Sequence, residues 1–367
     1  MFPQRRFQRR NSSLFCRHCS RLLEAPTAGK LVRCAFCHGM ISVPETGKIS
    51  YPIQKTSFTK LKYKLSPDDG SRGYETLNAG DPFSSNVHHQ KKAFLCGVTY
   101  RKQKYTLRGT VNDVKSMRAL LIDKFKFPAE GILVLTELET RPRYTPTKEN
   151  MRRALNWLVS NMRPGDSLVF YYSGHGLRQL DFENDELDGF DETLCPVDFK
   201  TTGLILDNEI NTTIVHPLPK GVRLHAFVDS CHSGTILDLP NVYDRQKGWI
   251  DNTPPSRANK NTKGGFAVSL SACADKQIAA DTTAFTGKEM RGALTWSLVN
   301  ALSQRPNPTY EELLEYTVEA IERANRSSNN CSEILKKVFR GKIVQDPQLS
   351  ASETFDVRSN PTQFVKP

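Results

Sequence analysis

The chain has 367 residues, of which 38% are hydrophobic and 25% are charged, and it contains no run of 18 apolar residues. We therefore expect a water-soluble protein with a sizeable core and no transmembrane helix. The formal net charge of +12 is uneven, because residues 1–64 hold 13 Lys and Arg against two acidic residues. The rest of the chain is close to neutral, so we expect any attraction to acidic partners to belong to the N-terminal region.

Residues 1–13 are rich in arginine and lack the apolar segment of a secretory signal. We interpret them as a solvated basic tail, with an organelle transit peptide or a nuclear signal as the alternatives. The chain has nine cysteines, an odd number, and four of them are clustered within residues 16–37. This usage favours metal binding and catalysis in a reducing compartment over disulfides, so we expect a cytoplasmic protein that could also enter the nucleus.

The cysteine cluster has the spacing C-x2-C-x14-C-x2-C, formed by Cys16, Cys19, Cys34 and Cys37. Two such pairs can present four thiolates tetrahedrally to Zn²⁺, and the bound metal stabilises a segment that is too short to form its own core. The sequence therefore predicts a structural zinc site in an N-terminal module at 1–50, followed by a linker at 51–90.

From residue 91 the pattern alternates between short apolar strands and amphipathic helices. Strands are predicted at 91–100, 132–137, 166–176, 222–234, 265–275 and 350–357, and helices at 111–125, 145–162, 292–302 and 309–325. Helices between such strands imply parallel pairing with right-handed crossovers. We therefore predict one α/β domain at 91–360, an open and mostly parallel sheet flanked by helices. A polar, basic loop at 240–264 interrupts it.

Two of the predicted strands end in residues that suit nucleophilic catalysis. The run YYSGHG ends at 176 and contains His175, and the run DSCHSG begins at Asp229 and contains Cys231. In a parallel sheet both runs lie at the carboxyl edge, where sites form. A thiol becomes a useful nucleophile when a positioned imidazole takes its proton. The pattern therefore favours Cys231 as nucleophile and His175 as base, over a buried cysteine and a structural histidine.

Other residues could take part in the same site. His232 is a competing base, but a side chain adjacent in sequence generally points away from its neighbour. Asp229 lies two residues before Cys231, so on a strand the two side chains share a face. Together with Asp113, which we interpret either as a cap of the first helix or as a pocket residue, Asp229 could hold a Lys or Arg side chain.

The motifs of residues 91–358 resemble those of the type I metacaspases of plants, a branch of the caspase-like proteases. The matching runs are LRGTVND (107–113), YSGHG (172–176), DETLCPVD (191–198), LDNEI (206–210), DSCHSGT (229–235) and FDV (355–357). The cysteine-rich segment resembles the lesion-simulating-disease type zinc finger of the same plant proteins. The resemblance implies a caspase-like fold, a self-processing zymogen, a link to programmed cell death, and protein partners for the zinc module.

The resemblance also implies cleavage after Arg or Lys and activation by calcium. The pocket for the residue before the scissile bond would use Asp113, Ser173 and Asp229, with Thr110 where relatives often have Cys. The calcium ligands would be Asp191, Asp207, Asn208 and Asp238, and Asn208 replaces a common aspartate. The acidic run 181–191 that contains Asp191 suits Ca²⁺, although such runs more often are only solvated.

We therefore predict an endopeptidase that acts on protein substrates, with the Cys231 amide and Gly176 N–H as the oxyanion hole. The loop 240–264 and the Lys91–Lys92 junction are predicted sites of self-cleavage. We expect no membrane association and no nucleic-acid binding. Two alternatives remain: a catalytically silent zinc-finger scaffold, and a caspase that cleaves after Asp, for which Asp229 has the wrong charge.

Overall fold

The computed structural model describes side chains and backbone at 83, 87–183, 186–230, 233–254, 256, 258–272, 292–305, 307–322 and 347–359. For 14–15, 22–23, 31–33, 40–42, 281–282, 291 and 323–328 it describes the secondary structure alone. The chain divides into two compact units, residues 1–70 and residues 71–367.

The strands and helices below are numbered in chain order. The strands are β1 Leu14–Phe15, β2 Leu22–Leu23, β3 Leu31–Arg33, β4 Met40–Ser42, β5 Lys91–Gly97, β6 Ile132–Thr136, β7 Ser167–Ser173, β8 Gly176–Leu180, β9 Phe190–Leu194, β10 Ile205–Leu206, β11 Arg223–Asp229, β12 Asn241–Asp244, β13 Gly248–Asp251, β14 Phe266–Ser271, β15 Asp281–Thr282, β16 Arg291–Gly292 and β17 Gln348–Ala351. The helices are α1 Thr110–Asp123, α2 Lys148–Leu158, α3 Phe199–Thr202, α4 Asp207–Ile210, α5 Ala293–Gln304 and α6 Tyr310–Ser328.

The first unit contains two small antiparallel hairpins. Strand β1 pairs with β2, and β3 pairs with β4. In the sequence, one C-x2-C pair falls between the two strands of each hairpin. The four cysteines themselves lie outside the described residues, so the zinc site stays a prediction.

The second unit is built on an eight-stranded sheet with the order β13-β12-β17-β14-β11-β7-β5-β6. The five strands from β14 to β6 are parallel, and β17, β12 and β13 add an antiparallel edge. Strands β8, β9 and β10 form a separate antiparallel sheet. The predicted open, mostly parallel sheet is therefore confirmed.

Both faces of the large sheet are covered, which explains why its central strands are continuous apolar runs rather than alternating ones. On one face, Phe94 and Cys96 of β5 belong to a core that includes Leu155 of α2. On the other face, Leu95 of the same strand packs in a core with α1, α5 and α6. The period-two alternation of β5 thus distributes its side chains between two hydrophobic layers.

The predicted elements differ from the structure mainly at their ends. Helix α1 begins at Thr110 after the N-cap Gly109, so Asp113 lies in the first turn and is not the cap. The last strand ends at Ala351, earlier than predicted, because Val357 is buried against the start of α6, where its carbonyl accepts from Glu311 N.

Two predicted self-cleavage segments are more structured than their composition suggested. The first half of the predicted loop 240–264 forms the hairpin β12–β13 on the edge of the large sheet, and its turn is exposed. Lys91 and Lys92 are the first residues of the central strand β5, and Lys92 is 4% exposed. Cleavage at the predicted Lys91–Lys92 junction would therefore require β5 to unfold locally, and that prediction stays untested. Among the described residues, no helix combines the length and the apolar character needed to cross a membrane.

Candidate active site

The site residues lie at the carboxyl ends of the three central strands. Ser173, the last residue of β7, is in register with Gly97 of β5 on one side and with Asp229 of β11 on the other. His175 follows β7 by two residues, and Cys231 follows β11 by two. Cys231 and His232 lie outside the described residues. The structure thus brings together the two segments that carry the predicted catalytic pair, as expected for parallel strand ends.

The imidazole of His175 is held by a backbone carbonyl. Its Nε2 lies 2.7 Å from the carbonyl oxygen of Tyr105, in the loop between β5 and α1. A carbonyl oxygen can only accept a hydrogen bond, so Nε2 must carry the proton in the neutral ring. Nδ1 is then the basic nitrogen of His175. Sequence reasoning did not identify Tyr105, because a backbone carbonyl leaves no residue-type signal.

Two buried tyrosines fix the backbone on either side of the same imidazole. The Tyr100 hydroxyl accepts from His175 N at 3.0 Å and donates to the Cys195 carbonyl at 2.6 Å. The Tyr172 hydroxyl donates to the His175 carbonyl at 2.9 Å. The Tyr100 ring also packs on the His175 ring, with their centroids 4.7 Å apart. These contacts hold His175 on both its main-chain and its side-chain atoms.

The turn between β7 and β8 requires glycine. A Cβ atom at Gly174 would lie 2.4 Å from the Tyr172 hydroxyl oxygen, so any larger residue would displace that tyrosine. Gly176 begins β8, opposite Leu194 in β9. Because Cys195 N donates to the His175 carbonyl, Gly176 and Leu194 form a non-hydrogen-bonded pair. The Gly176 N–H therefore points away from β9, an orientation that the predicted oxyanion role requires.

The segment after Cys231 is tied to the small sheet. The Ser233 hydroxyl donates to the Ser230 carbonyl at 2.9 Å, which links the residues on either side of Cys231 and His232 in the sequence. The Thr235 hydroxyl donates to Glu192 Oε2 at 2.7 Å, and Glu192 Oε1 accepts from Arg178 Nε at 2.9 Å. Glu192 is 1% exposed. This buried chain of contacts connects the nucleophile segment to β8 and β9.

Three of the four predicted substrate-pocket residues lie together. The Ser173 hydroxyl donates to Asp113 Oδ2 at 3.2 Å, and Asp229 is the register neighbour of Ser173. Asp113 is 1% exposed and Asp229 is 5% exposed. Thr110 lies nearby, on the first turn of α1, but its hydroxyl contacts the Thr99 hydroxyl at 3.1 Å. The predicted pocket residues Asp113, Ser173 and Asp229 thus place two buried carboxylates side by side.

The start of α5 also contacts this acidic pocket, which sequence reasoning missed. Gly292 N donates to Asp113 Oδ2 at 3.0 Å, and Asp229 Oδ2 accepts from Thr295 N at 2.8 Å and from the Thr295 hydroxyl at 2.6 Å. A Cβ atom at Gly292 would lie 2.1 Å from Asp229 Oδ2. Asp229, at the end of β11, thus caps the N-terminus of α5.

A second acidic cluster, formed by Glu186, Asp207 and Asp238, lies between the small sheet and the segment after Cys231. Each of these side chains offers an oxygen atom within 4.8 Å of the other two. Burial, followed by the neighbouring Asp238, Asp207 and Glu192, raises the pKa of Glu186 to about 12. Burial and Asp238 likewise raise the pKa of Asp207 well above its ordinary value.

This carboxylate cluster includes two of the four predicted calcium ligands. Asp191 is not a member of it; Asp191 is buried in β9 and accepts from Gln179 Nε2 at 3.1 Å. Glu186 belongs to the acidic run 181–191, and the side chains of such runs are more often solvated than bound to an ion. For Glu186 the solvated interpretation is wrong, because the side chain faces two buried aspartates.

A lysine from a distant segment also contacts the cluster. Lys260 Nζ donates to Asp238 Oδ2 at 2.7 Å and to Asn208 Oδ1. Lys260 is 7% exposed, although the prediction placed it in an exposed loop. The ammonium thus brings one positive charge to a buried group of carboxylates, and sequence reasoning had no signal for this contact.

Two further cysteines of the second unit can be compared with Cys231 as nucleophiles. Cys96 and Cys195 are free thiols, and both are completely buried in the core. Burial, together with Glu137, raises the pKa of the Cys96 thiol. Cys96 is therefore a core residue that is kept as a thiol, and it does not compete with Cys231 as a nucleophile.

Comparison with known proteins agrees with this geometry. The family model described as metacaspase, peptidase C14 domain, matches residues 91–240. Metacaspase-1 of Arabidopsis thaliana is 40% identical over 360 residues, which cover 94% of this chain and 95% of that protein. Metacaspase-2 of the same plant is 42% identical and covers 75% of this chain and 73% of its own length. Metacaspase-1A of Neurospora crassa is 35% identical, with coverages of 74% and 65%.

The alignment with the first of these relatives extends across nearly the whole of both chains, and the matched domain contains the ends of β7 and β11. It therefore includes the segments that carry His175 and Cys231 as well as the sheet that positions them. The chain belongs to the metacaspase family and is a cysteine peptidase with a caspase-like α/β fold.

Proposed function

We propose that this peptidase cleaves protein substrates after Arg or Lys, with Cys231 as nucleophile and His175 as base. The observation that carries the proposal is the buried acidic pair formed by Asp113, in the first turn of α1, and Asp229, at the end of β11. A carboxylate pair is complementary to a guanidinium or ammonium group, and it repels an Asp side chain. The negative charge of these carboxylates therefore favours a basic residue before the scissile bond.

In the proposed mechanism, Nδ1 of His175 accepts the Cys231 thiol proton while Tyr105 O keeps Nε2 protonated. The thiolate attacks the scissile carbonyl carbon, and the tetrahedral oxyanion forms between the Cys231 and Gly176 N–H groups. His175 then returns the proton to the leaving amine, which leaves an acyl-enzyme. Water, deprotonated by the same imidazole, hydrolyses the thioester and regenerates the thiol.

Fluorogenic peptides that differ only in the residue before the cut test this proposal. We expect hydrolysis of the Arg and Lys peptides, none of the Asp peptide, and loss of all activity in Cys231→Ala. Full activity of Cys231→Ala would overturn the catalytic assignment, and an inactive wild-type enzyme would favour the scaffold alternative. Preferential cleavage of the Asp peptide would overturn the pocket assignment alone.

We further propose that calcium activates the enzyme by binding Asp207 and Asp238, with Glu186 and the side-chain oxygen of Asn208 as additional donors. The donor set fits the ion, because Ca²⁺ takes six to eight oxygen ligands and the three carboxylates converge within 4.8 Å. The Lys260 ammonium beside Asp238 indicates that the cluster accommodates positive charge. Asp191, in β9, also remains a proposed ligand, because the family resemblance implies it. The ion would neutralise the carboxylates and hold the segment after Cys231.

The proposed structural zinc ion would be held by Cys16, Cys19, Cys34 and Cys37. The placement of each C-x2-C pair between two paired strands supports this assignment, since short hairpins commonly present such cysteine pairs to zinc. We propose protein partners for this module. We also propose self-cleavage in the turn of the β12–β13 hairpin, where Arg245 and Lys247 are exposed.

A further inference from the structure

Lys260 lies in a segment that otherwise faces solvent. Between β13 and β14, Asn259, Asn261 and Lys263 are exposed, whereas Lys260 is 7% exposed. A lysine is almost never fully buried unless it is paired, because its ammonium loses hydration on burial. The paired groups are Asp238 and Asn208, both of which belong to the proposed calcium site.

The backbone of Lys260 is attached to the same place. The Asn211 side-chain amide donates to the Lys260 carbonyl at 3.1 Å, to Leu237 O at 2.9 Å and to Asp238 O at 3.2 Å. One buried amide thus joins the Lys260 segment to the segment that follows Cys231. Asp238 itself has a φ of +50°, a conformation that costs a non-glycine residue energy and needs surrounding contacts to persist.

A calcium ion bound by Asp238 would lie 2.3–2.6 Å from its carboxylate oxygen. The Lys260 nitrogen already lies 2.7 Å from Asp238 Oδ2. Two cations so close to one oxygen repel each other strongly in a buried site, where water screens poorly. Binding of the ion is therefore incompatible with the Lys260 contact, and the lysine must leave before or as calcium enters.

We propose that Lys260 is a built-in competitor of calcium, whose ammonium pairs with Asp238 until the ion displaces it. This inference rests on the proposed calcium site and describes how binding of calcium there is regulated. Displacement would remove the attachment between the Lys260 side chain and Asp238, which joins the segment 252–264 to the segment that follows Cys231. Calcium entry would thereby loosen one segment while it orders the other, and the threshold for activation would depend on the strength of the Lys260 contact.

The test uses the full-length chain with Cys231→Ala, which prevents self-cleavage. Calcium binding is measured by isothermal titration calorimetry in this protein and after adding Lys260→Met, with Lys263→Met as the matched control. Methionine keeps the apolar stem and removes the charge. We expect Lys260→Met to bind calcium at least about tenfold more tightly, because no cation has to be displaced, and Lys263→Met to bind as the parent does.

A second measurement keeps Lys260 in place, so it does not depend on the folding of the variant. Lysines of the parent protein are acetylated with an N-hydroxysuccinimide ester, with calcium or with chelator, and the modified sites are quantified by mass spectrometry. We expect Lys260 to be protected in chelator and reactive in calcium, while Lys263 reacts in both. Protection of Lys260 at saturating calcium, or equal affinities of the parent and Lys260→Met, would overturn the inference and leave the calcium site standing.

Absence of calcium binding in the parent and in Lys260→Met alike would overturn the calcium site together with this inference. The peptidase assignment would survive that outcome, because peptide hydrolysis that is lost in Cys231→Ala is measured separately. Calcium binding in Lys260→Met but not in the parent would also support the inference. It would mean that the Lys260 ammonium excludes the ion completely.

Discussion

The backbone carbonyl of Tyr105 lies 2.7 Å from Nε2 of His175, and this contact determines which imidazole nitrogen can act as a base. The main chain of the same histidine is held by Tyr100, whose hydroxyl lies between His175 N and the Cys195 carbonyl. An imidazole that is restrained at its ring and at its backbone needs little reorganisation to take a proton. His175, the proposed base, is therefore positioned largely by groups outside the recognisable motifs.

Removal of the Tyr100 hydroxyl tests this positioning. In Tyr100→Phe, His175 N and the Cys195 carbonyl both lose a buried partner, which typically costs about 1–3 kcal/mol of stability. We expect kcat to fall about tenfold or more with a smaller change in KM, because the base is displaced while the acidic pocket is intact. Tyr105→Phe keeps the backbone carbonyl and is the matched control. Unchanged kcat in Tyr100→Phe would contradict the positioning role.

Asp229→Asn separates the charge of the acidic pocket from its structural task. Asparagine retains an oxygen that can accept from Thr295, so α5 stays capped and we expect only a small shift in Tm. Loss of a buried partner of a charged group costs about 3–5 kcal/mol, so kcat/KM for Arg peptides should fall at least about 100-fold. Asp244→Asn, at the end of β12, should leave both quantities unchanged. An equal loss in Asp244→Asn, or none in Asp229→Asn, would refute the pocket assignment.

His225 predicts how stability responds to acid. It is fully buried in β11 beside the Tyr310 hydroxyl, and burial, with a contribution from Arg223, lowers its pKa to about 3. Between pH 6.5 and 3 the unfolded chain binds a proton at this site that the folded chain does not. Its contribution to stability is therefore present above pH 6.5 and is lost as the pH falls.

For His225 alone, the free energy of unfolding should decrease by about 2 kcal/mol from pH 7 to pH 5. Urea unfolding of Cys231→Ala protein at the two pH values measures the whole change, and His225→Phe should reduce that change by about this amount. His216→Phe, at a position outside the core, serves as the control. A pH dependence that is identical with and without His225 would show that this histidine is not buried as described.

The zinc assignment predicts one metal ion per chain in the full-length protein. Elemental analysis of purified Cys231→Ala protein should find about one zinc per chain, and Cys19→Ser should remove it, because a tetrahedral structural site needs all four ligands. Cys331→Ser, which changes a cysteine far from the cluster in sequence, should retain the metal. Zinc-free protein, or zinc retained in Cys19→Ser, would exclude the site.

Self-cleavage should begin in the β12–β13 hairpin turn. Arg245 and Lys247 are exposed there, whereas Lys260 and Lys92 are buried and cannot enter an active site without local unfolding. Mass spectrometry of protein activated with calcium should therefore find the first new ends after Arg245 or Lys247, and the double substitution to alanine should delay cleavage. First ends after Lys92 would contradict the structure of β5.

Much of the peptidase fold follows from local sequence patterns. Continuous apolar runs such as β5 and β7 indicate buried strands, and the helices between them require parallel pairing. That pairing places the residues after β7 and β11 at one edge, so the sequence alone predicts that His175 and Cys231 lie together. The spacing of the four N-terminal cysteines likewise predicts a zinc site from a short stretch of sequence.

The contacts that complete the site depend on tertiary structure. Tyr105 acts through a carbonyl that every residue possesses, and Lys260 and Glu186 reach the carboxylate cluster from polar segments without periodicity. In such segments a buried ion pair and a solvated surface charge have the same sequence signature. Only the folded chain distinguishes them, because the difference is whether a distant segment excludes water from the charged group.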